Sequence, residues 1–405
     1  MGFAKQIMEE HDASVARGYS IPEKGEKYLC SAHYSNEFLR DFILKHGREG
    51  TCSFCDNKGI VVDFSEFVSY VGGRLADYLE DIDDAGLPLA NSFYDDDEEE
   101  IPGLVRRGVY IAPEDAEYYE SNREAMIEFG LLSDLDTLDK DISSHLYLGG
   151  KIRRDPTSFL LSEELSYLWD RFCTLVKTSQ RYTFFKSSLF DKTPIEFNEH
   201  GLFDILSELG GLVHLVEGIL PADTTLYRCR PAKEGEIVDG FKDCTSPPVS
   251  KARANRLSPS GISMFYGSFD RETPVKETKN YTKDPIIYLG SFRTKRQLTV
   301  VNLCKIPEAD FWMPNGWQEY SFLNQFHKEI SKPLGPDDVA EIEYVPSQIF
   351  TEYLRFLCKS TKGVNYDGIV YRSSLTKKEN VVLFYDSEAS SSILELLGAP
   401  RFITV

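Results

Sequence analysis

Residues 256–277 read RLSPSGISMFYGSFDRETPVKE, and this stretch decides the fold class. It carries Arg256, a short apolar run around Tyr266, and two glutamates, Glu272 and Glu277. Similar short runs flank it: TTLYRCR before, then PIIYLGSF, LTVVNL, YDGIVYR and NVVLFYD after. Gly, Pro and Asn separate them. Their length and their β-branched or aromatic content are those of strands. One helix interrupts them, SQIFTEYLRFLCKSTKG, with Ser347 as its expected N-cap and Gly363 just past its end. Mixed strands with few helices give an α+β domain over residues 221–405.

Upstream the texture changes. Residues 101–220 read as a helical domain. Within it, LLSEELSYLWDRFCTLVKT sets Leu165, Leu168, Trp169, Phe172 and Leu175 on one stripe, with Ser162 as expected N-cap. A further helix and loop are expected over 196–220, ending at Pro221. Residues 77–100 contain eleven acidic residues and no basic one, which reads as a solvated connector. Residues 61–78 suggest a helix with Phe64, Phe67, Val68 and Val71 on one side, weakened by Gly72 and Gly73. Residues 1–76 form the remaining module.

The whole chain has 405 residues and a net charge of −20, which argues against broad nucleic-acid binding because phosphates need a basic footprint. No run of 18 or more apolar residues is present, and the first residues lack the apolar centre of a secretory signal. Of the eight cysteines, three cluster near the start and five are scattered, the usage of reduced thiols. A reducing cytoplasm is the expected compartment.

The cluster is specific. Cys30 and His33 form a C-x2-H pair, and Cys52 and Cys55 form a C-x2-C pair. Two such knuckles can close a tetrahedron around one Zn²⁺, and four protein ligands leave no open position, so the site reads as structural. A module this small buries little surface, so metal binding would supply its folding energy. Arg40 and His46 overlap the cluster in an R-x5-H spacing, the signature of HEPN ribonucleases, although such pairs arise by chance and a helix face holding the knuckles apart is the preferred reading.

In the carboxy-terminal domain, Arg228, Arg256, Tyr266, Glu277, Ser373, Ser374 and Asn380 all fall near the ends of expected strands. No G-x-G-x-x-G follows a strand and no G-x-x-x-x-G-K-[ST] occurs, so a pyrophosphate would need side-chain cations. Arginine suits that task, since its planar fork pairs with phosphate oxygens. A tyrosine ring can stack on nicotinamide. A carboxylate can hold ribose hydroxyls and oppose the positive charge of an oxocarbenium-like transition state.

At these residues the chain resembles the RES domain family, named for its Arg, Glu and Ser. LYRCRP is similar to the family's opening Arg strand, and includes Tyr227 and Arg228. RLSPSGISMFYGSFDRETPVKE resembles its R-x-N-P-x-G … LY-L … ET-x-x-x-E segment, although Ser258 stands where the family has Asn and Asn255 lies close by. YDGIVYRSSLTKKENVVLF resembles the closing DG-x-x-Y-x-S … N-x-x-LF segment, which puts the family serine at Ser373, with Ser374 as the close alternative. The loop between the first two motifs, from Pro231 to Arg253, is long. The amino-terminal cysteine region resembles the zinc-bearing HEPN/RES amino-terminal domain ahead of some longer RES proteins.

The resemblance implies an ADP-ribosyltransferase-like fold and degradation of NAD⁺ by phosphorolysis or hydrolysis of the nicotinamide–ribose bond. Arg228, Glu277 and Ser373 are then the expected catalytic residues. Arg256, Tyr266, Asn380, Tyr227 and Ser374 are expected to bind NAD⁺, and inorganic phosphate can be a second substrate. Many members are toxins held off by an antitoxin, so a restraining partner is expected. The amino-terminal half is another candidate restraint, which would make a chain starting near Ala222 the more toxic. Two further readings stand beside this one: transfer of ADP-ribose to a macromolecule, and a zinc-dependent binding protein or HEPN ribonuclease.

Overall fold

A computed structural model describes residues 13–81, 119–153, 160–184, 205–284, 286–334 and 339–404. The architecture is α+β. It divides into two compact units, residues 1–160 with 310–317, and residues 161–309 with 318–405. Most of the acidic connector, from residue 82 onward, lies outside the described residues, as do 101–118 and 185–204 of the expected helical domain.

The amino-terminal unit begins with strand β1 (Tyr28–Cys30), helix α1 (Glu37–His46), and strands β2 (Arg48–Thr51) and β3 (Lys58–Asp63). β3 is the middle strand, antiparallel to both others. Helix α2 (Phe64–Tyr78) follows directly, so Val61–Asp63, expected as helix, are strand. Asp63 explains the switch: its Oδ1 accepts from the Ser65 N–H at 3.0 Å and caps the helix. Gly72 is tolerated inside α2 for a steric reason. A Cβ there would sit 2.6 Å from the ring of Tyr19. Strand β4 (Leu79–Asp81) pairs with β5 (Lys151–Arg153), and between them lie helices α3 (Asn122–Glu128) and α4 (Asp136–His145).

The core of this unit buries Phe67, Val68, Val71 and Leu75 of α2 with Leu138 and Ile142 of α4. Trp312, from far along the chain, is fully buried in the same cluster. Its Nε1 donates to the Phe129 carbonyl at 2.6 Å, and the Arg74 guanidinium donates to the carbonyls of Phe311 and Met313.

The second unit is built on a sheet of order β13-β9-β7-β8-β12-β11-β10-β6, with β14 also paired to β9. The strands are β6 (Glu217–Leu220), β7 (Thr225–Ala232), β8 (Phe265–Ser268), β9 (Ile286–Thr294), β10 (Leu298–Asn302), β11 (Gly368–Arg372), β12 (Glu379–Leu383), β13 (Leu394–Leu396) and β14 (Arg401–Thr404). Only β10 and β11 run parallel; the other pairs are antiparallel. Strand β6 falls at the end of the stretch expected as a helix and loop; β10 recruits it into the sheet edge.

Helices α5 (Leu161–Thr178) and α6 (Ile205–Leu212) pack in this unit, not apart from it. The predicted stripe of Leu165, Leu168, Trp169, Phe172 and Leu175 is buried against Ile369 and Val382 of the sheet and Phe326 and Phe350 of two further helices. Those are α8 (Trp317–Ile330) and α9 (Val345–Phe356); helix α7 (Glu272–Tyr281) precedes both in the chain.

Both expected N-caps on these helices lie inside them. Ser162 is the second residue of α5, whose first N–H, on Leu161, instead donates to Gln318 Oε1 at 2.6 Å. Ser347 sits behind Pro346 in the first turn of α9 and donates to the Arg256 and Tyr344 carbonyls. α9 ends at Phe356, and Gly363 takes its left-handed conformation, φ 73°, in the loop beyond.

Candidate functional site

Strand β7 pairs with β9 over eight residue pairs but with β8 at one, Tyr227 opposite Ser268. The sheet therefore opens between β7 and β8. Registered pairs share a face, so Tyr227, Ser268, Asn380 and Tyr371 form one row across β7, β8, β12 and β11. Two residues along, Tyr266 lies on the same face opposite Val382.

Helix α7 packs over β7 on this side, with Val275 against Cys229 and Leu289. Asp270 fixes its start by accepting the N–H groups of Glu272 and Thr273, both at 3.0 Å. These bonds pull the Asp270 carboxyl below its usual range against the upward push of burial, and Lys378 pairs with Asp270 and Glu272 as well.

From α7, Glu277 reaches the row. Its Oε1 accepts from Ser373 Oγ at 2.5 Å and from Asn380 Nδ2 at 2.9 Å. Ser373 is held in the β11–β12 turn. Its N–H donates to Lys378 O, its carbonyl accepts from Lys377 N, and its Oγ accepts from Thr376 N at 3.2 Å. Asn380 is fixed from its other side, where Oδ1 accepts from Ser268 Oγ. Ser373 and Asn380 are buried. Of the two serine candidates, Ser373 makes the bond to Glu277. Among the described residues no such bond involves Ser374, and no donor reaches Glu277 Oε2.

The expected arginines are tied to backbone. Arg228 Nε donates to Thr245 O at 3.1 Å and Nη1 to Tyr266 O at 2.8 Å, across the gap between β7 and β8. Arg228 lies opposite Gly290, on the other sheet face from Tyr227, with its guanidinium 5.8 Å from the Phe265 ring. Burial lowers its pKa, though an arginine stays protonated. Arg256 donates to Ile330 O at 2.8 Å and Lys332 O at 2.6 Å, at the carboxy-terminal end of α8, and stacks 4.9 Å from Tyr344. Cations suit such helix ends.

Two tyrosines link these pieces. Tyr266 Oη shares a hydrogen bond of 2.9 Å with Ser258, the residue that replaces the motif asparagine. Asn255 pairs with Ser258 through the backbone, and its side chain donates to Arg253 O at 2.9 Å. Burial raises the Tyr266 and Tyr371 phenols well above their ordinary range. Tyr371 lies opposite Asn380 in the register and feels Tyr266, Glu277 and Arg256 electrostatically, so it stands at the centre of the group. Sequence reasoning did not single it out, although YDGIVYR contained it.

The amino-terminal cluster is compact. Cys30, His33, Cys52 and Cys55 present ligand atoms all within 4.8 Å of one another, a group that could hold a metal ion. Cys30 Sγ lies 3.7 Å from Cys55 Sγ, and Cys52 Sγ lies 3.5 Å from His33 Nε2. Burial pushes the Cys30 thiol up to about 12. At Cys52 burial also pushes upward, but backbone N–H donors and His33 outweigh it and bring the thiol down to about 7. Arg40 and His46 are both exposed on α1, and His46 stacks on Phe42 with centroids 4.6 Å apart. Six positions on a helix turn through about 600°, so the two side chains do not share a face.

Among the described residues no helix is long and apolar enough to cross a membrane. No curated protein matches the chain. Two family models do: residues 45–189 match HEPN/RES N-terminal domain 1, and residues 225–396 match the RES domain. The chain thus carries one stretch that matches HEPN/RES N-terminal domain 1 and, after it, one that matches the RES domain.

Proposed function

We propose that the RES unit degrades NAD⁺ by breaking its nicotinamide–ribose bond. The RES match supports an NAD-related, toxin-like function in general. The observation that carries the specific reading is the Glu277 carboxylate, with Oε1 pinned by Ser373 and Asn380 beside the tyrosine row where the sheet opens. Pinning one oxygen fixes the carboxylate and leaves Oε2 for a ribose hydroxyl or for the developing charge at the anomeric carbon.

In this reading the C–N bond breaks and its electron pair leaves with nicotinamide, which departs neutral. The oxocarbenium-like ribosyl carbon is captured by water, which loses a proton, or by phosphate. The products are ADP-ribose or its 1-phosphate. Tyr266 packs against nicotinamide, and Tyr227, Ser374 and Asn380 complete the binding surface. Arg228 and Arg256 act on the pyrophosphate or the attacking phosphate through their charge, Arg228 from the gap between β7 and β8 and Arg256 from the end of α8. An antitoxin or other regulatory protein as partner, and the cytoplasm as compartment, belong to the same reading. All eight cysteines are free.

The test is purified full-length protein with NAD⁺, with and without phosphate, resolved by chromatography. Glu277→Gln keeps the shape of the site and should lower turnover about 10²–10³-fold. Turnover equal to wild type would remove Glu277 from the mechanism. A modified macromolecule in place of free ADP-ribose products would favour transfer instead.

For the Cys/His cluster we propose structural zinc. With Zn–S near 2.3 Å and Zn–N near 2.0–2.1 Å, a tetrahedron has S···S edges of about 3.8 Å and S···N edges of about 3.6 Å. The 3.7 Å and 3.5 Å separations are close to those edges.

A further inference from the structure

His33 is 4% exposed and both its ring nitrogens are engaged. Nε2 faces the Cys52 thiol, while Nδ1 lies 2.7 Å from Asp134 Oδ1. Asp134 is 101 positions along the chain, in the turn between α3 and α4. The contact is reciprocal, since the Asp134 N–H donates to the His33 carbonyl at 3.1 Å. The turn itself is fixed: Ser133 N donates to the buried Asp139 carboxylate at 2.8 Å, and Ser133 Oγ bonds Leu135 O at 3.0 Å.

We infer that Asp134 is a positioning residue of the metal centre, resting on the zinc reading above. A carboxylate on Nδ1 selects the tautomer with the proton there, which leaves the Nε2 lone pair pointing into the sulfur cluster. It also holds the ring plane and raises the basicity of the ligand nitrogen. Asp134 does not touch the metal. Its further effect is mechanical: bound metal ties the β1–β3 knuckle to the α3–α4 pair, joining segments that the sequence keeps a hundred residues apart.

The experiment uses the full chain. Zn²⁺ is titrated against a chromophoric chelator for wild type, Asp134→Ala, Asp134→Asn and the nearby control Asp136→Ala, and Co²⁺ spectra report the ligand set. Wild type should bind one equivalent, with Co²⁺ bands of a tetrahedral thiolate–imidazole site. Asp134→Ala should keep those bands and bind Zn²⁺ about 10–100-fold more weakly. Asp134→Asn, which can still accept from Nδ1–H, should fall between, and Asp136→Ala should match wild type. One equivalent bound equally tightly by wild type and Asp134→Ala would overturn the role of Asp134 while leaving the zinc reading intact. No metal bound by wild type would overturn both.

Discussion

The Cys/His cluster and the Glu277 site differ in how far the chain travels to build them. Cys30 and Cys55 are 25 positions apart, and the other two ligands lie between them. Glu277 instead meets Ser373 and Asn380 from 96 and 103 positions away. With the proposed metal bound, the first site needs little fold beneath it, because the ion supplies the energy that gathers local ligands. The second needs the register of β8, β12 and β11, the placing of α7 and the turn after β11 before its oxygens meet. A local site fails by losing its ion; a distributed one fails by losing any element of its frame.

The largest effect should come from breaking the local site. Cys52→Ser removes a fully buried thiol of the cluster. Structural zinc contributes on the order of 10–16 kcal/mol in isolated fingers, more than the about 5–15 kcal/mol of net stability a folded domain usually has. The amino-terminal unit of Cys52→Ser should therefore lose cooperative melting and become protease-sensitive. An unchanged melting transition with one zinc still bound would show that the cluster is not the source of that unit's stability.

A smaller effect blurs the boundary between the halves. Trp312 belongs by sequence to the RES half and by packing to the amino-terminal unit. Trp312→Ala should cost about 3–5 kcal/mol and raise hydrogen exchange first in α2 and around Phe129, its packing and hydrogen-bond partners. Exchange rising first in the RES sheet would reassign the residue.

These cases show what was legible. The Cys/His cluster was readable because its spacing is short and its chemistry rare; Asp134 was not, since one exposed aspartate in a polar turn carries no local signal. Glu277, Ser373 and Asn380 came from motif spacing, and the structure brings them together. The same motif hid a structural part. Gly368 has no room for a Cβ, which would lie 2.1 Å from Val382 O, and Asp367 binds Arg296 at 2.7 Å and Thr299 N at 2.8 Å. Arg256 shows the converse limit: an arginine read as a phosphate ligand spends two donors on the end of α8. Helix α5 was read as an apolar stripe, and its stripe is buried, but a stripe does not say what covers it. A chain starting at Ala222 would strip Leu165, Trp169 and Phe172 from the core, so its toxicity would report folding as much as restraint.

The smallest effect sharpens the comparison by pH. His327 lies on α8 in the RES unit, with its Nε2 buried and without a partner among the described residues. Burial, helped by the nearby positive Arg372, lowers its pKa from 6.5 to about 4. Between those values the unfolded chain binds the proton and the folded unit does not, so stability rises with pH across the window. The contribution is complete above about pH 6.5 and is lost as pH falls toward 4. Gln carries no titrating proton, so His327→Gln should flatten this part of the melting-temperature profile while leaving the amino-terminal unit's profile unchanged. If wild type and His327→Gln fall in parallel from pH 6.5 to 4, the buried imidazole is not the group that titrates, and acid sensitivity of the RES unit must come from its carboxylates.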